Sequence, residues 1–319
     1  KGMKTHGKIK VTTLSSGLDL ELPVYLISGA TEGPKIVLLH GLHGDEFQLL
    51  TALRKLGDSI TPKDLSGMLI IVPVANPLAF QSGTRHTPVD MLDLNRSFPG
   101  VQQGGQLTEK IASVLTEELL KNSDYILDFH SGDSSSVLDL MIAPDVGGKI
   151  QGEINELAEV FGLKVINRSK AYYGTATTYA ASELGIPSLV PELGGSGFGA
   201  LMEELWTNKT IKCIKNVLVH LGMLDGEVVK PQNQITVRSI ILLRASNGGI
   251  LIPTIGVDKL GEFVKEGELL AEIINPYSFE ILEQIMVPKD SVCCGLRSMA
   301  PINLSERYCY ILADLASRV

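Results

Sequence analysis

The segment HGLHGDEFQ, His40 to Gln48, sets His43 and Glu46 three residues apart, directly after the apolar run Ile36 to Leu39. A histidine and a glutamate at that spacing, on a strand-to-helix turn, can both reach one metal ion. Imidazole and carboxylate suit Zn²⁺, and a catalytic zinc site takes three protein ligands and leaves the fourth position to water. The third ligand has to come from elsewhere. His130, in YILDFHSG, fits the need, because Tyr125 to Phe129 reads as a buried strand and Ser131-Gly132 as the turn after it. Open α/β sheets gather their active sites outside the carboxyl ends of the strands, which is where His43, Glu46 and His130 fall together. A lone histidine is more often a surface or core residue, so the reading rests on the set. Gly41 and Gly44 beside His43 let backbone crowd a ligand.

Two further segments supply the rest of a reaction site. NPLAFQSGTRHTPVDMLDLNRSFPG, Asn76 to Gly100, is a long polar stretch after the strand Met68 to Val74, and it carries Arg85, Asn95 and Arg96. A guanidinium fork and an amide are suited to holding a carboxylate and a carbonyl. IPSLVPELGG, Ile186 to Gly195, is an apolar strand ending in Glu192. A carboxylate there can serve as general base to a water and later return the proton to a leaving amine.

The pattern around these segments is α/β. Strands are expected at Ile36 to Leu39, Met68 to Val74, Tyr125 to Phe129, Leu138 to Ala143 and Ser188 to Val190. Helices are expected at Glu46 to Ile60, Thr108 to Lys121, Gln151 to Phe161 and Phe198 to Leu221. The alternation implies a mostly parallel sheet flanked by helices. After Gly222 the texture changes to glycine-punctuated β segments, which sets a catalytic domain over residues 1–225 and a smaller, barrel-sandwich-like β-rich domain over 226–319. GEFVKEGELLAEI resembles the hairpin of biotinyl and lipoyl domains, but Met286 and Lys289 do not form their Met-Lys-Met signature, so no carrier role is expected. That β-rich part either walls the pocket or builds a subunit interface. GGSGFG, Gly194 to Gly199, reads as a tight turn and not as a nucleotide loop or a serine-hydrolase elbow, since Phe198 stands where the last glycine should be.

Taken in order, HGLHGDE, the NP segment with Arg85 and DLNRSFPG, DFHSG and PELGG resemble the succinylglutamate desuccinylase and aspartoacylase family, a branch of the zinc carboxypeptidase fold. The resemblance covers roughly residues 8 to 225. It implies one Zn²⁺ per chain held by His43, Glu46 and His130, with Arg85 polarising the scissile carbonyl and Asn95 with Arg96 gripping a substrate carboxylate. It also implies Glu192 as general base, His40 as a motif histidine that is not a ligand, Asp93 as an orienting residue and Asn76 at the edge of the substrate site. Residues 170–179 lie where family members shape the pocket; there Tyr172 and Tyr173 either supply a hydroxyl or pack.

Composition narrows the classes. A formal charge of −8 with 44% hydrophobic residues describes a core-forming acidic chain with no basic footprint, which argues against nucleic acid and anionic membranes as partners. The four cysteines, Cys213, Cys293, Cys294 and Cys309, have neither zinc-ribbon nor redox spacing and read as thiols of a reducing compartment. With no signal-like apolar stretch after the basic start and no membrane-length run, a cytoplasmic enzyme is expected, compatible with a homo-oligomer. Three functions compete. A zinc amidohydrolase acting on a small N-acyl amino acid leads, a zinc carboxypeptidase for short peptides is second, and a non-catalytic binding protein is third, since no ligand or base is missing.

Overall fold

The computed structural model describes residues 2–195, 199–305 and 308–319. The chain opens with a hairpin that sequence reading did not anticipate, β1 (Met3–Thr13) and β2 (Asp19–Ser28). Then come β3 (Thr31–His40), α1 (Leu50–Ser59), β4 (Ser66–Val72), α2 (Pro77–Ser82) and α3 (Leu107–Val114). β5 (Tyr125–Gly132), β6 (Ser136–Asp145), α4 (Ile150–Phe161), β7 (Val165–Lys170), α5 (Ala176–Glu183), β8 (Ser188–Gly195) and α6 (Ala200–His220) complete this half.

The strands form one sheet whose centre is the parallel run β4-β3-β5-β8. Antiparallel strands extend it on both sides, β2 and β1 beyond β4, and β6 beyond β8. The central strands carry near-continuous apolar runs because they are covered on both faces. In β3 the alternation is direct: Ile36 and Leu38 pack with Leu53, Leu56, Phe161 and Ile214 of α1, α4 and α6, while Val37 and Leu39 pack on the opposite face with Ile111 and Ala112 of α3 and Ala180 of α5.

Several boundaries move from expectation. The helix expected from Glu46 starts at Leu50, because Glu46 to Leu49 keep the turns of the ligand loop and Leu49 offers no capping side chain. The strand expected to reach Val74 stops at Val72, since Pro73 has no N–H for the ladder. Ser131 and Gly132 extend β5 and are not a turn. Gly132 and Gly195, paired in register, each lie where a Cβ would stand about 2 Å from the Ser136 carbonyl oxygen (2.0 and 1.8 Å), so these glycines serve close packing. The turn expected in GGSGFG falls largely on residues 196–198, outside the described residues.

The β-rich end comprises β9 (Ile235–Val237), β10 (Ile240–Arg244), β11 (Gly249–Pro253), β12 (Phe263–Val264), β13 (Leu269–Ile274), β14 (Ile281–Met286), β15 (Ser291–Arg297), β16 (Ala300–Ile302) and β17 (Tyr308–Asp314). It continues the main sheet. β15 pairs with the start of β6, β9 pairs with β7, and the apolar core runs unbroken from Leu127 and Phe129 to Leu296, Tyr310 and Leu312. β14-β13-β11-β16 form a separate four-stranded sheet. All four cysteines are buried free thiols, and burial pushes Cys213 and Cys293 up to about 12. Among the described residues no helix is long and apolar enough to cross a membrane.

Candidate metal centre and its pocket

The loop between β3 and α1 carries His43 and Glu46 to the carboxyl end of the sheet, and β5 brings His130 beside them. Gly44 makes this possible: a Cβ there would sit 1.9 Å from the backbone of Ala79, so α2 presses directly on the loop. That contact, with backbone and not with a ligand, is what the glycine permits. The Glu46 carboxylate bridges the two rings, with Oε1 2.7 Å from His43 Nδ1 and Oε2 2.7 Å from His130 Nδ1. The three ligating atoms lie within 4.8 Å of one another, and all three residues are buried.

The outer nitrogens face carboxylates too. His43 Nε2 is 3.1 Å from Asp93 Oδ1, and His130 Nε2 is 3.2 Å from Asp128 Oδ2. Burial works to drive both imidazoles neutral, but the charge of Glu46 and the Asp93 hydrogen bond raise His43, and the charges of Asp128 and Glu46 hold His130 well above the ordinary histidine value. Burial likewise opposes the charge of Glu46, yet the two imidazolium rings keep it well below the usual carboxylate range. A cation that displaced the two ring protons would take over their pairing with Glu46, between carboxylates that already favour positive charge there. In that state two Nδ1 atoms and one carboxylate, each ring steadied by a carboxylate behind it, offer three ligand atoms to one metal ion.

Asp128 went unnoticed at the sequence level. The signal was present, because a residue two before His130 on a strand shares its face.

Around this cluster one pocket is lined by Arg85, Asn95, Arg96, Glu192 and the two histidines with Glu46. Arg85 is clamped by Asp93, whose Oδ2 accepts from Nη2 at 2.9 Å and Nε at 3.2 Å. Burial would raise the Asp93 pKa, but the His43 hydrogen bond with the charges of His43 and Arg85 holds it far below the ordinary value. Asp93 also caps the short turn Leu94–Arg96, and Asn95 is fixed by accepting from Ala176 N at 3.1 Å. Arg96 Nη1 donates to the Asn95 carbonyl at 2.6 Å. Glu192 stands on β8 opposite His130, and its carboxylate has no hydrogen-bond partner among the described residues. Burial first, opposed by the charge of His130 and helped by that of Glu46, lifts its pKa to about 7.

Other expected residues lie outside the reaction centre. Asn76 is wholly buried as the cap of α2, accepting from Ala79 N at 3.3 Å and donating to Thr87 Oγ1 at 3.0 Å. Both ends of its amide are used within the fold, and it is not among the residues that line this pocket. His40 has its Nδ1 2.8 Å from the Pro73 carbonyl oxygen and is not part of the His43-Glu46-His130 cluster. Tyr172 lines the pocket, whereas Tyr173 is 91% exposed and does not. The far wall, Ile142, Pro144, Ser169, Lys170, Thr175, Thr177 and Thr178, comes from β6, β7 and α5. Among the described residues the lining runs from His43 to Glu192 and takes nothing from the β-rich end.

Comparison with known proteins agrees with this geometry. Residues 32–221 match the model of the succinylglutamate desuccinylase/aspartoacylase catalytic domain. The chain is 31% identical over 297 residues to the N-alpha-acetyl-L-2,4-diaminobutyric acid deacetylase of Halomonas elongata, covering 89% of this chain and 83% of that protein. Among solved structures it is similar to a succinylglutamate desuccinylase from Silicibacter sp., with TM-score 0.83, 26% identity, and 98% and 95% of the two chains covered. It is also similar to the product-bound ectoine utilization protein EutE (DoeB) from Ruegeria pomeroyi, with TM-score 0.84, 26% identity, and 98% and 95% covered.

Proposed function

The chain belongs to the succinylglutamate desuccinylase/aspartoacylase family, and from that premise we propose that it is a zinc-dependent amidohydrolase that removes the acyl group from a small N-acyl amino acid. The observation that carries the reading is the bridged His43-Glu46-His130 cluster opening onto the same pocket as Glu192, Arg85 and Arg96. A zinc ion held by those three residues, one per chain, supplies Lewis-acid polarisation of the amide carbonyl and acidifies a water beside it.

The chain's own groups do the rest. Glu192, whose pKa near 7 suits it to exchange protons at neutral pH, takes a proton from the attacking water and hands it to the departing amine nitrogen. Arg85, held in one orientation by Asp93, donates to the carbonyl oxygen as it gains charge. Asn95 and Arg96 hold the substrate carboxylate and so orient the scissile bond. Asp93 and Asp128 keep the two imidazoles turned toward Glu46. We take residues 1–225 as the catalytic unit and 226–319 as a β-rich structural unit, in keeping with a pocket lined from the former.

The test is amine release from a panel of N-acyl amino acids set against dipeptides, using zinc-loaded protein. Hydrolysis of the former with little of the latter is expected. Preference for dipeptides would turn the reading to a carboxypeptidase.

A further inference from the structure

The ligand loop has a polar anchor that the reaction just described does not use. Between Gly44 and Leu50 its backbone is held loosely, Glu46 N reaching the His43 carbonyl at 3.5 Å and Leu50 N the Phe47 carbonyl at 3.4 Å, both at the long limit of a hydrogen bond. Leu49 is sunk in the apolar core, and Gln48 beside it is only 6% exposed although it is polar. A buried amide needs a partner, and Gln48 Nε2 donates to the carboxylate of Glu203 in the first turn of α6.

Gln48 lies where three elements meet. A Cβ on Gly194, whose φ is +73°, would stand 2.9 Å from Gln48 Cγ and 3.1 Å from Trp206 Cγ, so the end of β8 presses on the same side chain. Gly194 comes two residues after Glu192, and Gln48 two residues after Glu46. Glu203 is a firm acceptor: the start of α6 favours its charge, and it has no cation within ion-pair distance among the described residues. Trp206, one turn on, is 2% exposed, and Lys209 after it is ion-paired with Asp139 of β6, which fastens this end of α6 to the sheet. A charged acceptor on a fixed helix end, facing an amide on a loosely bonded loop, makes a directional tether.

We propose that Gln48 is a positioning residue: held by Glu203, it fixes the ligand loop, and with it Glu46, against the end of β8 that carries Glu192. The inference rests on the zinc-dependent deacylase reading. Neither Gln48 nor Glu203 lines the pocket, so both act through other residues. Without the tether Glu46 loses its fixed place between His43 and His130, and Glu46 and Glu192 no longer keep one geometry.

The experiment measures zinc affinity by chelator competition, the melting temperature of the metal-free protein, and kcat and KM at saturating zinc on a panel of N-acetyl amino acids. The variants are Gln48→Leu, Gln48→Glu, Glu203→Gln and the double exchange Gln48→Glu with Glu203→Gln. Gln48→Leu should weaken zinc binding by about tenfold or more, the scale of a lost supporting contact, and lower kcat more than it raises KM. Its melting temperature should move little, because Glu203 is partly exposed and turns to water once its partner is gone. Gln48→Glu sets two carboxylates against each other and should weaken zinc binding further, whereas Glu203→Gln keeps a hydrogen bond and should cost little. The double exchange restores an amide-to-carboxylate bond with its ends reversed, and should recover most of the Gln48→Glu loss where independent changes would only add. Unchanged zinc affinity and kcat in Gln48→Leu, no recovery in the double exchange, or losses that only track the melting temperature would overturn the positioning role. Zinc affinity that follows this pattern in a protein that hydrolyses none of the panel upholds the tether and sinks deacylation, while hydrolysis and zinc binding that survive every variant sink the tether alone.

Discussion

Glu192 and the two arginines divide the chemistry in ways that kinetics can separate. Glu192→Gln should keep zinc and lose a factor on the order of 10² to 10⁴ in kcat, the usual worth of a positioned acid or base. A near-normal rate would move the base to another residue. Because burial raises its pKa to about 7, the basic form is lost as pH falls, so wild-type kcat/KM should decline on the acid side with an apparent pKa at or below about 7, a bound cation lowering it. The folded pKa lies above the ordinary glutamate value, so the ionised form costs stability at higher pH. Glu192→Gln should therefore raise the melting temperature of the metal-free protein above pH 7 and change it little below pH 5. Arg96→Ala should chiefly raise KM, and Arg85→Ala chiefly lower kcat, by about 2–4 kcal/mol in barrier if it acts as an oxyanion donor. The opposite split would exchange their roles. Asp128→Asn should weaken zinc binding by about 10- to 100-fold in a chelator competition, and unchanged affinity would remove Asp128 from the account. At this scale the sequence was informative where a side chain's chemistry was unusual for its place. Two histidines and a glutamate after apolar runs stood out, whereas Asn76 did not reveal that its amide is consumed by a helix cap. The segment 170–179 was placed at the pocket by resemblance alone; which of its side chains line the wall was not legible, since only the fold brings β7 and α5 to the same pocket.

The ligand loop is the element on which the site depends, and its tolerance is small. Gly44→Ala places a methyl 1.9 Å from the Ala79 backbone, so the loop and α2 must part. A loss of about 1–3 kcal/mol, the range for overpacking, is expected in denaturant unfolding together with weaker zinc binding. Unfolding at the wild-type midpoint would show that the loop is free to move. Element existence was readable wherever apolar runs were long and buried on both faces, as in β3 and β5. The hairpin β1-β2 was missed although β2 carries a period-2 signal, with Leu20, Leu22 and Val24 buried in alternation, whereas β1 has no buried residue to mark it. Boundaries failed for local reasons: Pro73 cut one strand short, and Gly132 looked like a turn while serving the approach of Ser136.

Across the whole molecule the β-rich end and the α/β part share a sheet and a core. Ser135 ties them further, its hydroxyl accepting from Arg297 Nη2 at 2.9 Å and its carbonyl from Ser298 N at 2.8 Å. A chain ended at Asp225 would expose the β6 edge and the apolar residues packed on Leu296 and Tyr310. It should fail to fold cooperatively, and a sharp melt from it would contradict this. The texture change near Gly222 was legible in the sequence, but the pairing of β15 with β6 was not, because strand partners distant in sequence leave no local pattern. The central claim is tested most directly by zinc content measured together with amine release from N-acyl amino acids, on the wild type, His43→Ala and His130→Ala. The account predicts about one zinc per wild-type chain with hydrolysis, and loss of both in each variant, since two remaining ligands seldom hold catalytic zinc. Full zinc occupancy in either variant, or hydrolysis by metal-free wild type, would contradict it.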